Sequence, residues 1–354
     1  MNKQLPSTFK SLKHPYWAAI SDVDWSSWTW QLQNKITDLE TLKKIQASDP
    51  TIQLDLEDIE KTQTEFQFGI TPYYFSLINF KDPHCPIAKQ ALPSSQENIK
   101  LDNELRDFPK EEQMMPVPGL THRYPDRVML YTTHHCAVYC RFCTRKRKVS
   151  NPTSTLNAKQ IKDAYDYILS NPSIREIILS GGDIFSYNDH QLEALIKTFR
   201  SIPHIQVIRL GTRNLVTLPF RVTDSLVAML KKYAPIYIHT HFNHALECSL
   251  EAKLACQKLK DAGCIINNHT VFLKDVNDQT SSIEALNLKL MQMKVQPYYI
   301  YHCDLTYGSH HFRTKIADDL KIIRELHERT NWENQISIPH YMIDTPGGGK
   351  IELD

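Results

Sequence analysis

Residues 135–148 read HCAVYCRFCTRKRK and set Cys136, Cys140 and Cys143 on one short loop, directly after the apolar run Val128-Met129-Leu130-Tyr131. This Cys-x3-Cys-x2-Cys array constrains the chain more than any other feature. Soft thiolate ligands suit iron–sulfur clusters. Three of them hold three irons of a [4Fe-4S] cube and leave the fourth iron open to chelate a small molecule and pass it an electron. Phe142, just before the third cysteine, offers a flat face beside that iron for an adenine to stack on. A zinc site normally takes four protein ligands, often as two Cys-x2-Cys pairs, and no second such pair exists in the sequence. A disulfide belongs to oxidising compartments, and the N-terminal stretch MNKQLPSTFKSLKHPYW lacks a signal-peptide apolar core.

The aromatic residue before the third cysteine makes the array resemble that of the radical S-adenosylmethionine (SAM) superfamily. The flanks narrow the likeness. PVPGLTHRYPDRV before the cysteines and CTRKRK after them are similar to the lysine 2,3-aminomutase family. The resemblance runs from about residue 20 to the end of the chain.

Length and composition agree with a soluble globular protein. The 354 residues suffice for one large domain or a large and a smaller one. Net charge is +1, so no global field favours nucleic acid or a membrane surface. No apolar run reaches transmembrane length. A reducing cytoplasm is expected, which an oxygen-labile cluster needs. The other cysteines (Cys85, Cys248, Cys256, Cys264 and Cys303) are scattered and read as buried structural residues.

The organisation falls into three stretches. Residues 1–114 read as a polar, mainly helical and wrapping region. Its tryptophans Trp25, Trp28 and Trp30 run into Ile36, Leu39, Leu42 and Ile45 at close to helical spacing. Residues 115–330 alternate strand-like runs (127–133, 175–180, 205–211, 235–240, 264–273, 296–302) with amphipathic ones (158–171, 189–201, 222–233, 247–262, 281–294, 314–329). That alternation predicts an α/β fold of parallel strands with right-handed crossovers. Six βα units are too few for an eight-stranded barrel. They agree with the partial (β/α)6 barrel that the resemblance implies, behind an N-terminal helical segment. Residues 331–354 form a C-terminal segment with Pro346-Gly347-Gly348-Gly349-Lys350, a glycine run presenting one lysine. It is not a phosphate-binding P-loop, because Ile351 follows where a Ser or Thr is needed.

The resemblance assigns roles to further residues. Gly181, Gly182 and Asp183, after the strand Ile177-Ile178-Leu179, resemble the segment that holds the SAM amino group, with Ile184 where relatives usually have proline. Phe142 and His241, the latter in an HFNH block, are SAM contacts by the same likeness; an IR-x-GTR block, ending here in Arg213, is similar to another family block. Lys350 resembles the lysine that carries pyridoxal phosphate (PLP), in a run one glycine shorter than the family's. Arg123, Tyr124 and Arg127 match phosphate-binding positions, and His269 stands where the family has glutamine. Arg145 matches the residue that binds the substrate α-carboxylate, and its planar fork suits one. Asp304 and Asp344 match the pair that binds the distal ammonium of lysine. Two aspartates around one pocket call for a cation, which argues for a basic amino acid and against glutamate. The family's zinc-ligating cysteine position holds Gln279, and the relatives' C-terminal extension is missing, so no zinc is expected.

The resemblance therefore implies an enzyme that converts lysine to β-lysine with SAM, a [4Fe-4S] cluster and PLP. An electron donor such as flavodoxin or ferredoxin serves it, and a homo-oligomer is an open expectation. Members of the branch that supplies β-lysine for elongation-factor modification resemble this chain in lacking the extension, and that branch is the expectation. The rivals are an aminomutase acting on ornithine, arginine or glutamate, and a non-enzymatic iron–sulfur protein.

Overall fold

From residue 120 onward, β-forming runs and amphipathic helices build one curled sheet of nine strands, in sequence order from β1 to β9. The computed structural model describes residues 13–108, 110–149, 155–329 and 337–353. β1 (Leu120–Tyr124) and β2 (Arg127–Thr133) form an antiparallel hairpin. β3 (Glu176–Gly181), β4 (Val207–Gly211), β5 (Tyr237–Thr240), β6 (Ile265–Val271), β7 (Gln296–Tyr301) and β8 (His340–Asp344) continue from β2 in parallel. β9 (Lys350–Glu352) returns antiparallel to β8. Helices Ala158–Leu169, Asp189–Arg200, Asp224–Lys231, Leu250–Asp261, Thr280–Gln292 and Ile316–Arg329 connect successive parallel strands.

The six expected βα units are present, with strand bounds within about two residues of the sequence reading. The sheet nevertheless has three strands that the sequence reading did not include. LTHRY and HYMID alternate poorly, and KIE is three residues beside a glycine run. Their strand character comes from a neighbour to pair with rather than from local pattern. β8 and β9 draw the chain's last described residues into the same sheet as the cysteine-bearing end.

Burial alternates along the strands, because successive side chains point to opposite faces. Ile177, Leu179, Ile208, Leu210 and Ile238 are fully buried on the helix-covered face. The residues between them line the concave face, and many are polar: Glu176, Ser180, Arg209, His239, Asn267 and His269. Arg209 pairs there with Glu176 at 2.6 Å.

The N-terminal region packs against the sheet's helices. Trp17 and Trp25 are buried in the main core, their rings 5.9 Å apart. The helical spacing read through residues 28–45 is interrupted. Helix Trp28–Gln33 stops at Asn34, Ile36 exchanges backbone hydrogen bonds with Ile70 (2.8 and 3.0 Å), and a new helix runs Leu39–Ser48. Asp38 caps that second helix on Thr41 N–H at 2.8 Å. The five scattered cysteines are all buried. No helix among the described residues is long and apolar enough to cross a membrane. Residues 1–12, which carry most of the stretch read for a signal peptide, lie outside the described ones.

Candidate active site at the strand ends

The cysteine loop leaves the C-terminal end of β2 and is fastened from the N-terminal region. Tyr139 N–H donates to Gly69 C=O at 2.8 Å, and Arg141 N–H to Gln90 C=O at 3.0 Å. The Arg141 side chain is buried and forks onto Glu97 through Nε (2.8 Å) and Nη2 (2.7 Å). Lys146 Nζ sits 3.0 Å from the same carboxylate. Burial pushes the Glu97 carboxyl up, but Arg141 and Lys146 outweigh it and hold it below its ordinary range. Burial pushes the Cys136 and Cys143 thiols up, and Cys140 beside them adds to the shift. Among the described residues, no three His, Cys, Asp or Glu side chains converge on one metal ion.

The Gly181-Gly182 pair packs directly on the start of that loop. Gly181 has φ +134°, and a Cβ there would lie 2.2 Å from Thr133 O. A Cβ on Gly182 would lie 2.5 Å from His135 O. Both glycines are thus required by the close approach of two strand ends. Asp183 is buried with both oxygens engaged: Oδ1 accepts from Phe185 N–H (2.9 Å) and Thr212 Oγ1 (2.6 Å), Oδ2 from Arg213 N–H (2.7 Å). Burial still lifts its carboxyl to about 6 against those bonds. Phe142 lies in a small cluster with Phe312, Leu273 and Cys303, its ring 6.1 Å from that of His241. Burial, with Arg213 nearby, lowers His241 to about 3, so its imidazole is neutral.

Lys350 approaches from the opposite edge of the sheet. Its Nζ donates to the Tyr301 hydroxyl and lies over the Tyr301 and Tyr299 rings, 4.6 and 5.2 Å from their centroids. Burial lowers its pKa to about 8, with Arg123 and Arg209 acting the same way and Asp344 opposing. The sheet curls until β1 meets the β8–β9 turn. Arg123 donates to Asp344 Oδ1 (2.7 Å), to Thr345 C=O (3.1 Å) and to Gly348 C=O. The Tyr124 hydroxyl accepts from Lys350 N–H at 3.1 Å, and Arg127 stacks 4.7 Å over the Tyr124 ring. His269 Nε2 lies 2.6 Å from His239 Nδ1, and burial with that neighbour drives His269 well below its ordinary pKa.

Between the two edges lie the remaining sequence candidates. Burial, with Asp344 close by, pushes Asp304 up to about 8, and Arg145 and Lys350 oppose the shift. Arg145 is held through Nε (3.0 Å) and Nη2 (2.6 Å) by Glu111, with the Tyr131 hydroxyl 2.6 Å from Nη2. Glu111, Tyr131, Tyr301, His239 and Arg213 thus belong to the site but were given no role in the sequence reading. Glu111 stands beside a second acid in EEQM, with nothing local to set it apart. Tyr131 and Tyr301 sat inside apolar strand runs, and only alternation along a strand end hinted at a lumen position.

A sequence profile of the Radical SAM superfamily matches residues 130–281. The L-lysine 2,3-aminomutase of Fusobacterium nucleatum is 43% identical over 331 residues, covering 93% of this chain and 76% of that one. The chain belongs to the lysine 2,3-aminomutase family. The L-lysine 2,3-aminomutase of Clostridium subterminale is likewise 43% identical, over 93% of this chain and 78% of its own length. The glutamate 2,3-aminomutase of Clostridioides difficile is 39% identical over 94% of this chain and 78% of its own. This member of the lysine 2,3-aminomutase family is therefore a radical SAM 2,3-aminomutase, an isomerase acting on an amino acid, and its superfamily implies SAM and a [4Fe-4S] cluster. Identity separates the lysine and glutamate relatives by too little to name the substrate.

Proposed function

We propose that the chain is an L-lysine 2,3-aminomutase that forms β-lysine using SAM, a [4Fe-4S] cluster held by Cys136, Cys140 and Cys143, and PLP carried by Lys350. The observation that carries the substrate reading is the Asp304–Asp344 pair in the pocket shared with Arg145 and Lys350. Asp304 is lifted towards neutrality by burial and by Asp344. A ligand ammonium between the two carboxylates relieves that repulsion, whereas a second carboxylate on the ligand would add to it.

Held by Cys136, Cys140 and Cys143, the cluster would supply with SAM the one-electron radical chemistry, and PLP on Lys350 would supply a π system to delocalise an unpaired electron. The chain's own residues bind, orient and tune. Arg145 faces the α-carboxylate while Glu111 and Tyr131 hold its other edge. Asp304 and Asp344 take the distal ammonium, so the two ends fix which hydrogen faces the radical source. Arg123, Tyr124, Arg127 and His269 supply donors for a phosphate. The lowered pKa of Lys350 leaves about a tenth of it as free amine at pH 7, far more than for an ordinary lysine. Phe142, Gly181, Gly182, Asp183 and His241 shape the SAM side. The glycines do so by bringing the β3 end against the cysteine loop. On this proposal a flavodoxin- or ferredoxin-like protein serves as electron donor, and elongation-factor modification is the use proposed for the product.

The test is anaerobic incubation of reconstituted protein with lysine, SAM, PLP and a reductant, assayed for β-lysine beside a Lys350→Ala control. β-Lysine from the wild type alone supports the reading. SAM cleavage with an intact cluster but no β-lysine overturns the substrate, and ornithine, arginine and glutamate are then assayed in turn.

A further inference from the structure

We infer that Arg213 is a positioning residue for the iron–sulfur cluster, which donates a hydrogen bond to the Cys140 sulfur and thereby raises the cluster's reduction potential. The inference rests on the reading of the three cysteines as cluster ligands. Arg213 ends the Gly-Thr-Arg stretch after β4, a motif that the substrate and cofactor assignments leave without a role.

Its guanidinium Nη1 lies 2.7 Å from Cys140 Sγ. Every other edge of the group is pinned. Nε donates to His241 C=O at 3.1 Å. Nη2 donates to Gln90 Oε1 and Glu247 Oε1, both at 2.7 Å. The backbone N–H is held by Asp183 Oδ2 at 2.7 Å. Glu247 is itself fully buried and fixed by the Tyr74 hydroxyl (2.7 Å) and by the N–H groups of Asn243 (2.6 Å) and His244 (3.0 Å). Three separate segments, around Tyr74, Gln90 and Glu247, are thus devoted to aiming one cation at one sulfur.

The physical consequence follows from the reduced cluster carrying one more electron than the oxidised one. A donor N–H and a positive charge at a ligand sulfur stabilise the more negative state more. Hydrogen bonds to the sulfurs and the local dielectric are what set such potentials. The site is dry, since Arg213 is 9% exposed and Glu247 not at all. Its charge is therefore poorly screened. Glu247 offsets part of that charge, but it binds at Nη2, while Nη1 is the edge that meets the sulfur.

The experiment is a redox titration of the anaerobically reconstituted full chain, with dithionite and viologen mediators. Cluster reduction is followed by electron paramagnetic resonance, and iron is quantified in parallel. Arg213→Leu is expected to lower the ratio of reduced to oxidised cluster about tenfold at any fixed potential, which is 59 mV for one electron. Arg213→Lys, which keeps the charge and loses the fork, falls between. Arg213→Leu leaves Glu247 buried without its cation and risks unfolding. The paired variant Arg213→Met with Glu247→Gln removes both charges together and is expected to shift in the same direction. A cluster-loaded variant that titrates at the wild-type potential overturns the inference, even if its iron content or thermal stability falls. A wild type that takes up no cluster overturns the ligand reading itself, and this inference with it.

Discussion

The cysteine loop and the lysine strand come from opposite edges of the sheet, and they are held by different means. The cysteine loop is tied down by fully buried charge: Glu97, at 0% exposure, is shared by Arg141 and Lys146. The lysine strand is three residues long and hangs on Arg123 and Tyr124 across the seam between β1 and the β8–β9 turn. The Arg123–Asp344 pair is only partly buried, at 12% and 15% side-chain exposure. On the proposed reading the contrast suits each end: a cluster would need three thiols at fixed spacing, and a cofactor-bearing lysine would have to give way to substrate.

The sharpest break of that comparison is chemical. Lys350→Ala is expected to take β-lysine formation below detection while SAM binding and cluster content stay at wild-type levels; turnover surviving in this variant would remove the lysine from the mechanism. The next largest effect lies at the other end. Glu97→Ala leaves two buried cations without a partner, a loss of about 3–5 kcal/mol. Calorimetry should show a markedly lower melting temperature, and reconstitution should yield little cluster. A variant that loads a full cluster would mean the loop does not depend on this clamp.

Asp304→Asn sharpens the comparison in the pocket between the two edges. Loss of a charged partner for the distal ammonium costs about 1.5–3 kcal/mol. The KM for lysine is then expected to rise about 10- to 100-fold, with kcat changed far less. An unchanged KM would take Asp304 out of substrate recognition. Arg123→Leu tests the seam. It unties Asp344 and the turn after it, and protease cleavage within residues 345–349 should accelerate, at a stability cost of about 1–2 kcal/mol. A turn no more cleavable than in the wild type would show that β9 pairing alone holds it.

The smallest effect is a pH shift. Lys350 is lowered from 10.5 to about 8, first by burial and then by neighbouring cations that include Arg123. PLP uptake, followed by its absorbance, should climb with pH through a midpoint near 8. Removing Arg123 takes away a cation that favours the free amine, so the midpoint in Arg123→Leu should move up. A wild-type midpoint near that of an ordinary lysine would show that the amine is not desolvated. The stability linkage has the same origin. Between the folded and unfolded pKa values the unfolded chain binds the extra proton, so this group's contribution to stability rises with pH from about 8 to 10.5.

The sequence was most legible where the signal was local. The strands from β2 to β7 and their helices could be read because apolar runs and helical periodicity lie within single segments. The three remaining strands could not, since LTHRY, HYMID and KIE become strands only beside a partner. The tryptophan-rich start read as continuous helix because its spacing is helical. Ile36 left that helix because Ile70, 34 positions away, supplied a backbone partner. Asp183, Arg123 and Arg145 were each read as facing a ligand, and the structure gives each of them protein partners as well. Those partners are the Thr212–Arg213 stretch, the turn at residues 344–348, and Glu111.

By itself, then, the sequence determined which chemical groups the chain brings: three closely spaced thiols, a glycine pair at a strand end, a lysine after a glycine run, and two aspartates with an arginine. These are matters of residue type and short spacing, and spacing along one loop survives any fold that keeps the loop. Only the tertiary structure decided who holds whom. Arg213 meets Cys140 across 73 positions, Arg145 meets Glu111 across 34, and Arg123 meets Asp344 across 221. A charge announces the kind of partner it needs, but the curl of the sheet chooses which of many suitable partners arrives within hydrogen-bonding distance.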